Sequence, residues 1–314
     1  MEAWYKKLGY YNNPFILDPF KERTTWIGDD QILKDAAYYI RSGSLLFVQG
    51  SKGSGKTKLL KSLIDSFKGK IIYFNAANLS KTLNVEELLR NKLGLRGKLF
   101  GKKPVDMILF LDNADELSKV NFERIKYYYD QGFLQSVVFT GTDLKKTGFS
   151  ESMISRIGQR IIKLNSLSQE DAYTIVAKRL GEDISDEDAL IGKDYIKKIY
   201  AASKKNHRLF LINLHRVFEE LGFDSDEQVE TKHLDVLKDK LDKADEEEFE
   251  LELQSDFVTK TLGYKDESGN PIIEIGDYYR NPSVDMFCSN CGAIVSPEET
   301  ICPECESEFE GEKQ

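Results

Sequence analysis

Gly50-Ser51-Lys52-Gly53-Ser54-Gly55-Lys56-Thr57 stands between an apolar run, Leu45–Gln49, and a helical pattern that begins at Lys56. The eight residues match G-x-x-x-x-G-K-[ST] at every fixed position, and the strand before and helix after are the context that pattern requires. The glycines let backbone N–H groups turn inward on an anion, and the helix N-terminus adds its positive dipole end. The reading is a loop that cradles nucleotide phosphates over Gly50, Ser51, Lys52, Gly53, Ser54, Gly55, Lys56, Thr57 and Lys58. Lys56 reaches the β- and γ-phosphates, and Thr57 ligates Mg²⁺.

Such a loop needs an acid at the end of a neighbouring strand. Met107-Ile-Leu-Phe-Leu111 is the most apolar run of the chain, and Asp112 follows it directly. Asp112 is therefore the expected second Mg²⁺ residue.

Working outward, strands are expected at Leu45–Gln49, Lys70–Asn75, Met107–Leu111, Ser136–Gly141 and Ile161–Leu164. Helices are expected over Gln31–Arg41, Lys56 to about Phe67, Val85–Leu93 and Phe122–Tyr129. Strands and helices alternating at this length call for an α/β fold, a parallel sheet sandwiched by helices. The first thirty residues read as irregular, with turns at Asn13-Pro14 and Asp18-Pro19. After Leu167 the pattern becomes helical: a capping box at Ser168–Asp171, then helices over Ala172–Leu180, Ile191–Ser203 and Leu209–Leu221. Thr231–Ala244 reads as an amphipathic helix, Phe249–Gln254 as a strand, and Asp266–Asn270 as a hairpin turn. The organisation is a phosphate-loop core over 1–165, a helical subdomain over 166–223, an acidic connector over 224–286 and a cysteine module over 287–309.

Net charge is −9 over 314 residues, but it is unevenly spread. From Asp224 to the end there are 26 acidic and 8 basic residues, leaving 27 acidic and 36 basic before it. Arg90–Lys103 alone holds six basic residues and no acid, a stretch suited to neutralising duplex DNA phosphates or to lying solvated at the surface. No apolar run is long enough to span a bilayer, and Met1–Leu8 has no apolar signal core, so a cytoplasmic protein without membrane contact is expected.

All four cysteines fall in the last 27 residues, as Cys288-x-x-Cys291-Gly292 and Cys302-x-x-Cys305. Two such turns, ten residues apart, bring four thiolates into a tetrahedral set, and Gly292 permits the bend after the second ligand. The expectation is a small Cys₄ zinc ribbon whose Zn²⁺ is structural, with no open coordination position. Its acidic surroundings suit docking a protein partner better than binding nucleic acid.

Several short motifs together carry a resemblance: Asn13-Pro14-Phe15, Gly50–Thr57, Leu111–Asp115, Phe139–Leu144, Arg160-Ile161, Leu167–Glu170, Arg179-Leu180 and Asn206-His207-Arg208. Over about residues 5–222 the chain resembles the AAA+ branch that holds replication-origin recognition ATPases, ExeA-type secretion ATPases and TniB/TnsC-type transposition ATPases. The resemblance implies ATP and Mg²⁺ as ligands, a helical AAA+ lid over 166–223, and a homo-oligomer. It implies that Thr142 is a polar γ-phosphate sensor, Arg208 a second sensor in the lid, and Arg156 an arginine finger reaching a neighbour's ATP, with Arg160 the alternative. It places DNA contact in Arg90–Lys103. The N-terminal aromatics Tyr11, Phe15 and Trp26, with Ile27 and Gly28, either line the adenine pocket or pack as core.

One position departs from the resemblance. Asn113 follows Asp112 where most AAA+ proteins have Glu, and an amide cannot take a proton from water. Hydrolysis is then slow, or a nearby carboxylate substitutes, with Glu116 named for that role beside Asp115, or the chain is a nucleotide-dependent switch. Three functions follow: an oligomerising, DNA-associated ATPase; a nucleotide-gated adaptor that recruits a protein through its acidic tail and ribbon; and an ExeA-like secretion or pilus-assembly ATPase.

Overall fold

A computed structural model describes residues 3–22, 24–68, 70–78, 83–91, 105–185, 189–224, 228–238, 286–287 and 294–295. The chain forms two compact units, Met1–Ile273 and Glu274–Gln314.

In the first unit the elements run α1 (Trp4–Lys7), α2 (Asp30–Arg41), β1 (Leu45–Gln49), α3 (Lys56–Ser66), β2 (Ile71–Asn75), α4 (Val85–Asn91), β3 (Met107–Asp112), α5 (Lys119–Asp130), β4 (Leu134–Gly141), α6 (Glu151–Ile157), β5 (Ile161–Lys163), α7 (Gln169–Leu180), α8 (Lys193–Ala202) and α9 (His207–Asp224). The five strands make one parallel sheet in the order β2-β3-β4-β1-β5. Every residue of β3 is buried, as a central parallel strand requires.

Side chains alternate across the sheet. Leu45, Phe47, Ile72, Phe74, Leu109, Leu111, Val137 and Phe139 share one core with Leu88 of α4, Phe122 and Ile125 of α5, and Met153 and Ile157 of α6. The intervening residues, among them Leu46, Val48, Ile108, Phe110 and Val138, are equally buried. The alternation turns them to the opposite face, where α2 and α3 contact the sheet. Each such side chain contributes about 1.5–3 kcal/mol by leaving water.

Parallel register also decides where the strands stop. Asn75 pairs with Asp112, Leu111 with Phe139, and Gln49 with Gly141. The carboxyl ends of β1, β2, β3 and β4 therefore form one edge, which is where ligands bind in open α/β sheets.

A second core joins α7, α8 and α9. Ala172, Ile175 and Val176 of α7 pack with Ile196 and Ile199 of α8 and with Phe210, Leu214, Val217 and Phe218 of α9. The expected capping box starts α7: the Ser168 hydroxyl accepts from the Asp171 N–H at 3.0 Å, and the Asp171 carboxylate accepts from the Ser168 N–H at 3.2 Å.

Two expectations are corrected here. The N-terminal segment is not wholly irregular, because Trp4–Lys7 forms one helical turn. That turn exists through distant contacts: the Trp4 ring lies against Phe15, His215 and Phe218, and its Nε1–H donates to His215 Nδ1 at 3.2 Å. The segment Thr231–Lys238 is a 3₁₀ helix rather than the start of an α-helix. His233 tightens it, since its N–H donates to the Glu230 carbonyl at 3.2 Å while its Nδ1 accepts from the Glu230 N–H at 2.9 Å. The rest of that expected helix, the strand at Phe249–Gln254 and the turn at Asp266–Asn270 lie outside the described residues.

In the second unit, β6 (Met286–Phe287) and β7 (Ile294–Val295) pair antiparallel, Met286 with Val295 and Phe287 with Ile294. Cys288, Cys291, Cys302 and Cys305 lie outside the described residues, among which no group of three metal-ligating side chains occurs.

Candidate nucleotide site

The loop between β1 and α3 is built from conformations that glycine supplies. Gly53 and Gly55 have φ of 76° and 90°, the left-handed region that side chains disfavour. At Gly53 a β-carbon would also meet the Asn206 side chain at 2.4 Å and the β-carbon of Arg208 at 3.0 Å. The loop thus runs directly beneath the start of α9.

Lys56 is buried at the first position of α3. Its ammonium donates to the carbonyls of Gly50 and Ser51, both at 2.9 Å. Burial lowers its pKa, opposed by the negative charges of Asp112 and Asp115. The next residue, Thr57, donates its hydroxyl to Asp112 Oδ2 at 2.6 Å. A loop hydroxyl and a strand-end carboxylate in contact are the oxygen pair that Mg²⁺ takes in phosphate-loop sites. The Ser54 hydroxyl is buried without a hydrogen-bond partner, an orphan facing the loop interior. These residues fit a bound nucleotide with Mg²⁺. Thr57 and Asp112 would hold the metal, which would neutralise phosphate charge, while Lys56 would give up its carbonyl partners for phosphate oxygens.

Asp112 is the hub of the sheet edge. Besides Thr57, it accepts the Tyr73 hydroxyl on Oδ2 at 3.2 Å, the Thr140 hydroxyl on Oδ1, and the Asn113 N–H on Oδ1 at 3.1 Å. Tyr73 lies in no motif, and Thr140 lies in the Phe139–Leu144 motif without a role assigned to it there; the strand register brings both here. Asn113 has φ of 55°, and its side-chain amide donates to Asn75 Oδ1 at 2.8 Å. That amide is committed sideways, along the edge toward β2.

The two nearby carboxylates differ. Asp115 lies over the end of β4: its Oδ2 accepts the Thr142 N–H at 2.7 Å and its Oδ1 the Thr147 hydroxyl at 2.9 Å. Glu116, at the end of the 3₁₀ turn Ala114–Glu116 that carries both acids, is exposed. Thr142 is exposed as well, and it is the backbone of Thr142 that Asp115 holds, whereas Thr140 makes the contacts to Asp112 and Asn113.

The arginines occupy three settings. Arg208 is in the first turn of α9, beside Gly53. Arg156, at the end of α6, grips Asp130 with Nε at 3.0 Å and Nη2 at 2.8 Å, and adds a 2.7 Å bond to the Ser152 hydroxyl. Arg160 donates Nε to the Leu45 carbonyl at 3.3 Å, at the opposite end of β1 from the phosphate loop.

Lys58 turns its ammonium to the Glu22 carboxylate and the Thr24 carbonyl. Burial lowers the Lys58 pKa, opposed by the Glu22 charge. Glu22 also faces Arg179 of α7 at 3.7 Å, and Arg179 donates to the carbonyls of Pro14 and Ile16 at 3.0 and 2.9 Å. Burial alone would raise the Glu22 pKa, but the Arg179 and Lys58 charges outweigh it and hold the carboxyl below its usual range. The N-terminal segment is thereby pinned to both α3 and α7. Phe15 is fully buried in the helical core, and Trp26 is half-buried with its indole against Gly28.

A direct link crosses from the helices to the loop. Asn206 Nδ2 donates to the Lys52 carbonyl at 2.9 Å, while Asn206 Oδ1 accepts the Leu209 N–H at 3.0 Å and caps α9. His207 lies beside Gly55, its Nδ1 3.5 Å from where a β-carbon there would stand. Burial, then the Arg179 charge, push its pKa down to about 4. Asn206 and His207 were legible only as part of a short resemblance motif; their contact with Lys52 and Gly55 had no sequence signal.

Of the basic stretch Arg90–Lys103, the backbone of Arg90 and Asn91 ends α4, and residues 92–104 lie outside the described residues. Among the described residues no helix is long and apolar enough to cross a membrane.

No curated protein matches this chain in sequence. Its fold is similar to the Orc1 protein of Aeropyrum pernix, solved in complex with DNA, at 16% identity and a TM-score of 0.56, covering 72% of this chain and 68% of that one. It is similar to the RuvB Holliday junction branch migration motor of Thermotoga maritima at 16% identity and a TM-score of 0.52, covering 90% and 96%. It is also similar to Cdc6p of Pyrobaculum aerophilum at 13% identity and a TM-score of 0.51, covering 87% and 91%. The family model of the AAA domain matches residues 42–173, the stretch that runs from the end of α2 into α7 and contains the whole five-stranded sheet.

Proposed function

We propose that this chain binds ATP with Mg²⁺ and hydrolyses it as an oligomeric, DNA-associated AAA+ ATPase. The observation that carries the reading is the contact of Thr57 with Asp112 at 2.6 Å beside the buried Lys56. It brings loop hydroxyl, loop lysine and strand acid together where nucleotide phosphates bind. Lys56 and the loop from Gly50 to Lys58 hold the phosphates, Thr142 just after β4 and Arg208 in α9 read the γ-phosphate, and Arg156 serves a neighbouring subunit. Reaching that neighbour requires Arg156 to exchange its Asp130 partner for phosphate oxygens.

DNA association is supported by the excess of basic residues before Asp224, by the six basic residues of Arg90–Lys103, and by a fold shared with Orc1 solved on DNA. The paired strands β6 and β7 bracket Cys288 and Cys291 in sequence, which supports a Zn²⁺ ribbon completed by Cys302 and Cys305. In this reading the ribbon and the acidic tail dock a protein partner.

The test is ATP turnover by the purified protein with and without duplex DNA, beside Lys56→Ala. Turnover that DNA raises and Lys56→Ala removes is the expected result. Tight ATP binding with turnover no higher than Lys56→Ala overturns hydrolysis and leaves the second reading, a nucleotide-gated adaptor. Asn113 is the observation that favours that second reading, since it stands where a proton acceptor is usual.

A further inference from the structure

The edge of the sheet holds an acid next to the phosphate loop that none of the assigned roles uses. Asn113 cannot accept a proton, and its amide is engaged with Asn75 at 2.8 Å. Glu116 points to solvent from the end of its turn. Asp115 is different in three respects. It is fixed, by the Thr142 N–H at 2.7 Å and the Thr147 hydroxyl at 2.9 Å. It sits tight against the last residue of β4, with its Oδ1 only 2.7 Å from where a β-carbon on Gly141 would stand, so that residue must lack a side chain. Its charge also acts on the Lys56 ammonium together with that of Asp112. A carboxylate that takes two hydrogen bonds keeps two further lone-pair sites.

We propose that Asp115, held over the end of β4 by Thr142 and Thr147, is the general base of this site in place of both Asn113 and Glu116. The inference rests on the ATPase reading above. One Asp115 oxygen takes a proton from a water molecule as the water oxygen bonds to the γ-phosphorus. The bond from that phosphorus to the bridging oxygen breaks, ADP leaves with the electron pair, and the proton passes from Asp115 to the inorganic phosphate. No co-reactant beyond ATP and water is needed. The Thr142 and Thr147 bonds set the carboxylate's direction, which is the usual third component of an acid–base constellation.

The decisive variant is Asp115→Asn. It keeps the shape and the oxygen that accepts from Thr142, while the Thr147 hydroxyl can reverse to accept from the new amide; only proton acceptance is lost. The measurements are ATP affinity by titration, melting temperature, and turnover, made side by side on wild type, Asp115→Asn and Glu116→Gln. The expected result is unchanged affinity and melting for both variants, a turnover fall of about 10²-fold or more in Asp115→Asn, and near wild-type turnover in Glu116→Gln. Wild-type turnover with Asp115→Asn equally active overturns the inference and leaves the ATPase reading standing. Loss of affinity and melting temperature together in Asp115→Asn also overturns it, assigning Asp115 to holding β4. Absence of turnover in wild type, with ATP bound, sinks the ATPase reading and the inference with it.

Discussion

The sheet and the helical cluster solve the same problem of polar groups in opposite ways. The sheet is largely apolar along its length and gathers most of its buried polar side chains at one edge, where Asp112 alone takes hydrogen bonds from Thr57, Tyr73, Thr140 and the Asn113 backbone. The helical cluster instead takes polar side chains into its interior. His215 lies under Trp4 and Asn13, and Arg179 reaches the carbonyls of Pro14 and Ile16. The polar groups of the sheet thus stand at the rim beside the phosphate loop, whereas those of the helical cluster tie its core to the N-terminal segment.

The largest expected effect on this contrast comes from Phe218→Ala. Phe218 is fully buried and touches Trp4 and Phe15, so the change opens a cavity at the centre of the helical cluster. It should cost about 3–5 kcal/mol in denaturant unfolding. If the sheet and helices are one cooperative body, a single transition shifts; two transitions, with only the earlier one moved, would show that the sheet stands alone. A somewhat smaller loss, about 3 kcal/mol, is expected for Glu22→Gln, which leaves Arg179 and Lys58 buried without their counter-charge. Replacing Glu22 and Arg179 together by apolar residues of similar volume should restore part of that loss. A double variant no more stable than Glu22→Gln would show that Arg179 acts through Pro14 and Ile16 instead.

The third effect is pH dependence. Burial lowers the His215 pKa to about 4, and a proton on its Nδ1 would face the N–H groups of Trp4 and Asn13. The unfolded histidine takes its proton near pH 6.5, so between that value and about 4 the unfolded chain binds more protons. Stability from this group is fully present above about 6.5 and is lost as pH falls toward 4, by roughly 3 kcal/mol. His215→Gln should flatten that slope; an unchanged slope would assign the acid sensitivity elsewhere, with His207 the next group to examine.

Most of the sheet was legible because its signals are local. Leu45–Gln49 and Met107–Asp112 are continuous apolar runs bounded by a glycine loop and an acid, and they fold where that pattern places them. The phosphate loop was legible for the same reason. What the sequence hid depends on register and long-range packing. Tyr73 and Thr140 look like ordinary strand residues until β2 and β4 flank β3. Trp4–Lys7 is too short to show helical periodicity and is helical because α9 waits for its indole. Thr231–Lys238 has an amphipathic helix pattern, yet His233 closes a tighter turn. Asp115 and Glu116 are neighbours of like chemistry, and only the position of β4 separates them.

The tie between Trp4 and His215 spans 211 positions of the chain. At a synthesis rate of about 5–20 residues per second, the indole emerges roughly 10–40 seconds before its partner has been made. During that interval the sheet can complete itself, because β1 to β5 all lie between the two. The aromatic segment around Trp4 is then an unclaimed adhesive surface, and α9, translated after the whole sheet, is what covers it. Anything that slows elongation between β5 and α9 prolongs that exposure, so aggregation of the nascent chain should respond to codon choice in that interval more than to codon choice within the sheet.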